Sequence, residues 1–164
     1  MLVTTPTACG KTLISILAAI KSLEKNKKVV YMTPLRSLAY EKFIDFSNID
    51  KSKVFSKKIK IKISTGDFNT SNTELGNSDI IILTNEKLDS ILRQGASWLS
   101  NVGLFISDEI HLIGDLDSGP VLEMVLTKIK KFYPTSQILG LSATVTNSFD
   151  ISNWLDCKLI ESSW

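Results

Sequence analysis

The stretch Leu104-Phe105-Ile106-Ser107-Asp108-Glu109-Ile110-His111 constrains the fold more than any other part of the chain. An apolar run of strand length ends in two adjacent carboxylates, close to the only histidine of the sequence. A buried strand cannot keep two carboxylates inside without partners, so Asp108 and Glu109 are predicted to emerge at its end. In an open α/β sheet, ligands bind outside the carboxyl ends of the strands. A magnesium-bound nucleotide at that place would use both acids. One would hold the metal, and the other would orient and deprotonate a water. Taken alone, the same pattern also describes an acidic strand-to-loop turn with a satisfied surface histidine.

Gly10-Lys11-Thr12 tips the balance. Leu2-Val3-Thr4-Thr5 reads as a short strand, and Pro6-Thr7-Ala8-Cys9-Gly10-Lys11-Thr12 follows it. Beyond lies a helical apolar pattern at Leu13, Ile16, Leu17, Ile20 and Leu23. Strand, small-residue loop, Gly-Lys-Thr and helix together make the layout of a phosphate-binding loop. Gly10 lets backbone amides come close to phosphates, and the helix start adds the positive end of its dipole. Lys11 places a cation on the outer phosphates, and the Thr12 hydroxyl can ligate magnesium. The strict pattern has glycine at position 5, where this chain has Thr5.

The 164 residues make one domain, 1–164, long enough to bury a core. With 43% apolar and 22% charged residues, the composition excludes a disordered chain. A net charge of +2 announces no global polyanion-binding field, so any nucleic-acid contact has to be a local patch. The two cysteines, Cys9 and Cys157, show no metal-ligand spacing and no disulfide framework. The apolar run Leu13 to Ile20 is too short to span a bilayer and lacks the layout of a secretory signal. These features predict a cytoplasmic location without membrane attachment.

Strands and helices alternate along the rest of the chain. Val29-Val30-Tyr31-Met32 is predicted as a strand. Thr33-Pro34-Leu35-Arg36-Ser37-Leu38-Ala39 opens a helix running to about Phe46. Amides at that helix start, with Arg36 and Ser37, could hold a nucleic-acid phosphate, although an ordinary strand-to-helix loop has the same look. Lys58-Ile59-Lys60-Ile61-Lys62-Ile63 alternates strictly, as an edge strand protected by lysines does. Ser64-Thr65-Gly66-Asp67 closes it. Asp79 to Leu83 is a buried strand, after which Thr84-Asn85-Glu86-Lys87 opens a helix with Thr84 as its cap. A loop from Gly114 to Gly119 precedes a helix begun by Pro120. Gln137 to Leu141 is a further strand, ending in Ser142-Ala143-Thr144, whose hydroxyls could reach the Asp108–His111 turn. Asp150 to Leu155 reads as a short helix, and Lys158-Leu159-Ile160 as a last strand. The alternation predicts an α/β fold, a mostly parallel sheet with helices on both faces.

The phosphate loop, Pro34–Ala39, Thr65–Asp67, Thr84–Lys87, Asp108–His111 and Ser142–Thr144, in that order, resemble the motifs of the first RecA-like domain of a superfamily 2 helicase. Within that superfamily the chain is most similar to the Ski2-like branch, in particular to archaeal DNA-repair helicases related to the helicase region of DNA polymerase theta. The similarity covers nearly the whole chain, including Leu122–Lys128 and Trp154–Asp156.

The resemblance implies a RecA-like P-loop NTPase domain with ATP and Mg2+ as cofactors. Residues Thr5, Pro6, Thr7, Ala8, Cys9, Gly10, Lys11 and Thr12 would wrap the triphosphate. Lys11 would contact its outer phosphates, and Thr12 with Asp108 would hold the metal. Glu109 would be the base. His111, Ser142, Ala143 and Thr144 would couple nucleotide state to movement. Pro34, Leu35, Arg36, Ser37, Thr65, Gly66, Asp67, Thr84, Asn85 and Lys87 would grip the backbone of one strand, with little sequence preference. Cys9 would put a thiol inside the phosphate loop, open to oxidation or alkylation.

The resemblance further implies an adenine-reading segment before this chain and a second RecA-like domain after it, the latter supplying an arginine finger. The chain is therefore read as part of an ATP-dependent helicase acting on single-stranded or forked DNA with 3′-to-5′ polarity. Three other readings stay open: a non-enzymatic binding remnant of a truncated helicase, an RNA helicase of the same branch, and a duplex translocase.

Overall fold

The computed structural model describes residues 1–6, 10–51, 58–66, 70–143 and 147–162. Thr7, Ala8, Cys9, Asp67 and Thr144, named above as site residues, lie outside that set. Among the described residues, seven strands form one sheet: β1 (Leu2–Thr4), β2 (Lys28–Thr33), β3 (Ile61–Ser64), β4 (Ile80–Thr84), β5 (Val102–Ser107), β6 (Gln137–Ser142) and β7 (Leu159–Glu161). Their spatial order is β3-β4-β2-β5-β6-β1-β7, and every pairing is parallel. Six α-helices among the described residues connect them: α1 (Lys11–Glu24), α2 (Arg36–Lys51), α3 (Asn72–Gly76), α4 (Asn85–Gln94), α5 (Gly119–Phe132) and α6 (Ser148–Leu155). This is the α/β architecture with a parallel sheet that the alternation of patterns predicts, and its fold is RecA-like.

The two faces of the sheet carry two cores, and the period-2 geometry of a strand sorts residues between them. Val29 and Tyr31 pack with Ala19 and Leu23 of α1 and with Ala39 and Phe46 of α2. Val30 and Met32, on the same strand, pack on the opposite face with Leu88 of α4, Leu122 and Val125 of α5 and Ile151 of α6. Strands buried on both faces read as continuous apolar runs, which is why β4 shows no alternation.

Most boundaries agree with the sequence to within two residues. Three differences have local causes. The ladder of β3 begins at Ile61, because the Asp79 carboxylate accepts from the Lys60 amide at 2.8 Å and takes the donor that pairing would use. Helix α2 continues past Phe46 to Lys51, through residues that carry no glycine or proline stop signal. Helix α3 is too short for a 3.6-residue pattern, although Ser71 and Glu74 form the capping box that marks its start. As the sequence implies, β3 lies at the sheet edge with Lys58, Lys60 and Lys62 exposed. No helix among the described residues is long and apolar enough to cross a membrane.

Six of the seven strands end in a hydroxyl residue: Thr4, Thr33, Ser64, Thr84, Ser107 and Ser142. These ends share one rim of the sheet, since all the strands run the same way. Small polar side chains keep that rim open and rich in hydrogen-bonding groups, and helices α1, α2 and α4 begin beside it.

Candidate nucleotide site and nucleic-acid groove

Gly10 takes the left-handed conformation at φ 83°, at the cap position of α1. A side chain there would be strained, which explains the glycine before Lys11. Helix α1 then presents Lys11 and Thr12 in its first turn, and the Ser15 hydroxyl bonds back to the Thr12 carbonyl at 2.6 Å. Between β1 and β5 lies β6, so Lys11 has to reach across one strand to meet the acids. It does so: Lys11 Nζ is 3.6 Å from Glu109 Oε1. The other carboxylate oxygen, Oε2, is 3.3 Å from His111 Nδ1. His111 Nδ1 is in turn 3.4 Å from the Ser142 hydroxyl at the end of β6. One line of contacts thus joins Lys11, Glu109, His111 and Ser142.

Glu109 leads into a short 3-10 helix at Ile110–Gly114 and adopts a left-handed φ of 49°. That conformation is uncommon for a residue with a side chain. It turns the chain sharply, so that neighbouring carboxylates take different environments. Glu109 is partly exposed, with 28% of its side-chain surface accessible.

Asp108 does not emerge as the sequence predicts. It is buried, and the Tyr31 hydroxyl on the adjacent strand β2 donates to Asp108 Oδ2 at 2.9 Å. Asp108 Oδ1 accepts from the Glu109 amide at 3.1 Å. The expectation rests on a carboxylate lacking partners, and Tyr31 is a partner that no local pattern reveals. Burial raises the Asp108 pKa above the usual carboxylate range. The Tyr31 bond opposes that rise, Glu109 adds to it, and Lys42 and the Glu109 amide oppose it. Burial, with the nearby Asp108 charge, pushes the Tyr31 phenol upward as well.

A cavity of about 390 Å³ opens between these groups. Gly10, Lys11, Thr12, Asp108 and Glu109 line it, joined by Tyr31, Leu38, Glu41 and Lys42. Leu38 belongs to the Pro34–Ala39 segment, while Tyr31, Glu41 and Lys42 carry no motif signal. Tyr31 is nonetheless conspicuous as a phenol inside an aliphatic strand, since a buried phenol needs a hydrogen-bond partner. Lys42 stands within the inward-facing series Ala39, Phe43, Phe46, where a cation is out of place.

The donor set near Thr12 suits magnesium. Thr12 Oγ1 and the Asp108 carboxylate are hard oxygen ligands. The Thr12 hydroxyl already faces a cation, with Lys42 Nζ 3.1 Å away. Thr5 is buried, and its hydroxyl has no hydrogen-bond partner among the described residues. Its amide bonds to the Ser142 carbonyl at 3.2 Å, which ties the residue after β1 to the end of β6.

A second depression, of about 640 Å³, lies further along the same rim. Pro34, Leu35, Arg36 and Ser37 line it, with Gly66, Thr84 and Lys87. Glu86, inside the Thr84–Lys87 segment, and Ser90, which carries no motif signal, complete it. The Arg36 guanidinium lies against Gly66, where a Cβ would come within 2.7 Å of Arg36 Nη2. Thr84 caps α4 by accepting from the Lys87 amide at 3.4 Å. Thr65 and Asn85 are buried and do not line the groove. Arg93 is occupied elsewhere, 2.8 Å from Asp89.

A Gly-Lys-Thr helix start and an acidic strand end, side by side on one rim of an all-parallel sheet, are the arrangement of a RecA-like domain. Residues 1–151 match the family model for DEAD/DEAH box helicases, and the chain belongs to that family. Among curated proteins it is 43% identical over 164 residues to the ATP-dependent DNA helicase Hel308 of Methanocella arvoryzae. It is 45% identical over 165 residues to Hel308 of Pyrococcus abyssi, and 41% identical over 164 residues to that of Pyrobaculum calidifontis. Each of these matches takes in the whole of this chain but 22% of the relative, so the chain spans about a fifth of the proteins it resembles.

Proposed function

We propose that this chain is the ATP-binding domain of an ATP-dependent DNA helicase, with the 390 Å³ cavity as its nucleotide site. The observation that carries the reading is the line of contacts from Lys11 through Glu109 and His111 to Ser142. Those residues come from three different strand ends, and the line they form runs from the cavity wall, at Lys11 and Glu109, to the end of β6.

In this reading Lys11 leaves Glu109 for the outer phosphates and neutralises charge there. Glu109, released, faces a water and accepts its proton as the water oxygen bonds to the terminal phosphorus and the bond to ADP breaks. A magnesium ion held by Thr12 and Asp108 would supply charge neutralisation on the phosphate oxygens. Loss of the terminal phosphate changes the charge facing Glu109, and His111 with Ser142 conveys that change to β6.

The 640 Å³ groove is proposed as the track for single-stranded nucleic acid. Arg36, Ser37 and Lys87 supply donors suited to phosphate, and backbone recognition of this kind carries little base specificity. DNA is favoured over RNA by the names of the relatives, and 3′-to-5′ movement on single-stranded or forked DNA by the resemblance to their branch. A second RecA-like domain bringing an arginine finger, worth about 10³–10⁵ in rate in related chemistry, completes the enzyme. The location that fits is the cytoplasm.

The test is ATP binding and turnover by the 164-residue chain, with and without magnesium and single-stranded DNA. Magnesium-dependent binding with little turnover supports a nucleotide half-site. Absence of binding removes the assignment. Robust DNA-stimulated turnover would require a finger from self-association.

A further inference from the structure

Lys42 is the only buried cation among the described residues, at 7% exposure. Lysines ordinarily extend along apolar surface and release the ammonium into water. This one turns inward from α2 and donates to Thr12 Oγ1 at 3.1 Å. Two acids of its own helix flank it, Glu41 Oε1 at 2.9 Å and Asp45 Oδ2 at 3.3 Å. Burial works against its charge, but those two carboxylates outweigh it and raise the pKa, so the ammonium persists. Its charge also reaches Asp108.

Thr12 Oγ1 is the oxygen that the phosphate-loop reading gives to magnesium. Magnesium takes its oxygen ligands at about 2.0–2.1 Å and demands near-ideal geometry. An ammonium at hydrogen-bond distance from the same oxygen claims a lone pair that the metal would use. Glu41 and Asp45 give that ammonium a place to stay once it lets go.

We infer that Lys42 is a placeholder cation of the metal site: it holds the Thr12 hydroxyl until a magnesium-nucleotide takes that oxygen, and Glu41 with Asp45 then retain it. The inference rests on the nucleotide reading above. Lys42 acts through Thr12 and is a positioning residue. Because α2 begins at Arg36 in the groove, the exchange at Lys42 also places a nucleotide-dependent contact on the helix that starts the nucleic-acid track.

The experiment measures binding of a fluorescent, non-hydrolysable ATP analogue as magnesium is titrated. The unaltered chain is compared with K42M, which keeps the volume of the stem and removes the charge. The half-saturating magnesium concentration is expected to fall by roughly fivefold, the effect of removing one competing hydrogen bond of modest strength. K42R is expected to return it towards the unaltered value. Thermal melting without metal checks that each variant is folded, and K42Q replaces K42M if the latter does not melt cooperatively. An unchanged magnesium requirement overturns the inference and leaves the nucleotide reading standing. A raised requirement also overturns it, and makes Lys42 a direct ligand of phosphate. Absence of magnesium-dependent binding by the unaltered chain removes both.

Discussion

Tyr31 of β2 and Asp108, the residue after β5, share a 2.9 Å hydrogen bond inside the protein, with the phenol as donor and the carboxylate as acceptor. The phenol ring also packs edge-on to Phe46 of α2, with centroids 5.7 Å apart. The proposed metal-binding carboxylate is therefore positioned by a residue in the hydrophobic core. The Tyr31→Phe variant removes the donor and leaves a buried carboxylate under-satisfied. It is expected to lose about 1–3 kcal/mol of stability in denaturant melts at neutral pH. The pKa of Asp108 is expected to rise further, because the bond that is removed opposes the effect of burial.

Asp108 imposes a pH dependence whose sign follows from its raised pKa. A carboxyl with a higher pKa folded than unfolded adds nothing below its unfolded value. It destabilises increasingly as pH rises between the two values, and its cost is complete above the folded one. Asp108→Asn is therefore expected to melt at a higher temperature than the unaltered chain at neutral pH without metal. The gap should close as pH falls through the acidic range towards about 3.9, the ordinary carboxyl value. Parallel melts across that range check this. The same variant is expected to lose the magnesium dependence of nucleotide binding.

Lys11 pairs with Glu109 at 3.6 Å and stands at the cavity wall, outside both apolar cores. Lys11→Ala should weaken magnesium-nucleotide affinity by roughly two orders of magnitude, the scale of removing a charge-assisted hydrogen bond of about 3 kcal/mol. Its melting temperature should stay close to that of the unaltered chain. Calorimetric titration with an ATP analogue measures the first, and a melt the second. Unchanged affinity would remove the phosphate-loop assignment.

Glu109→Gln keeps the size of the side chain and removes the base. In a longer protein carrying both RecA-like domains, ATP binding should persist while turnover falls by about 10²–10⁴-fold. Near-normal turnover would assign the base elsewhere.

Arg36 lies against Gly66 in the groove. If it meets a phosphate, Arg36→Ala should weaken single-stranded DNA binding to a similar degree whatever the base sequence. The slope of log affinity against log salt should become shallower by about 0.7 for each phosphate that the arginine neutralises. Fluorescence anisotropy at several salt concentrations reads both.

The succession of strands and helices, the parallel sheet and the family are legible in the sequence. They depend on local signals: apolar periodicity, capping residues and the Gly-Lys-Thr and Asp-Glu-Ile-His segments. Such signals act between residues close together in the chain, so one sequence can carry them. Strand order is not legible in this way. The sequence allows Ser142 to reach the Asp108–His111 turn, but that β6 lies between β1 and β5, which makes the contact with His111 possible, depends on which crossover packs on which face.

The unannounced members of the nucleotide cavity have the same origin. Tyr31 is 77 residues from Asp108, and Lys42 is 30 from Thr12. Each looks like an ordinary residue of a strand or a helix until the sheet brings its partner alongside. Which groups can bind phosphate, metal and water is written in the order of residues, because it follows from the chemistry of each side chain. That Asp108 stays buried on Tyr31, and that Lys42 faces Thr12, is settled by the packing of β2, β5, α1 and α2, because burial and charge pairing exist only in the folded chain.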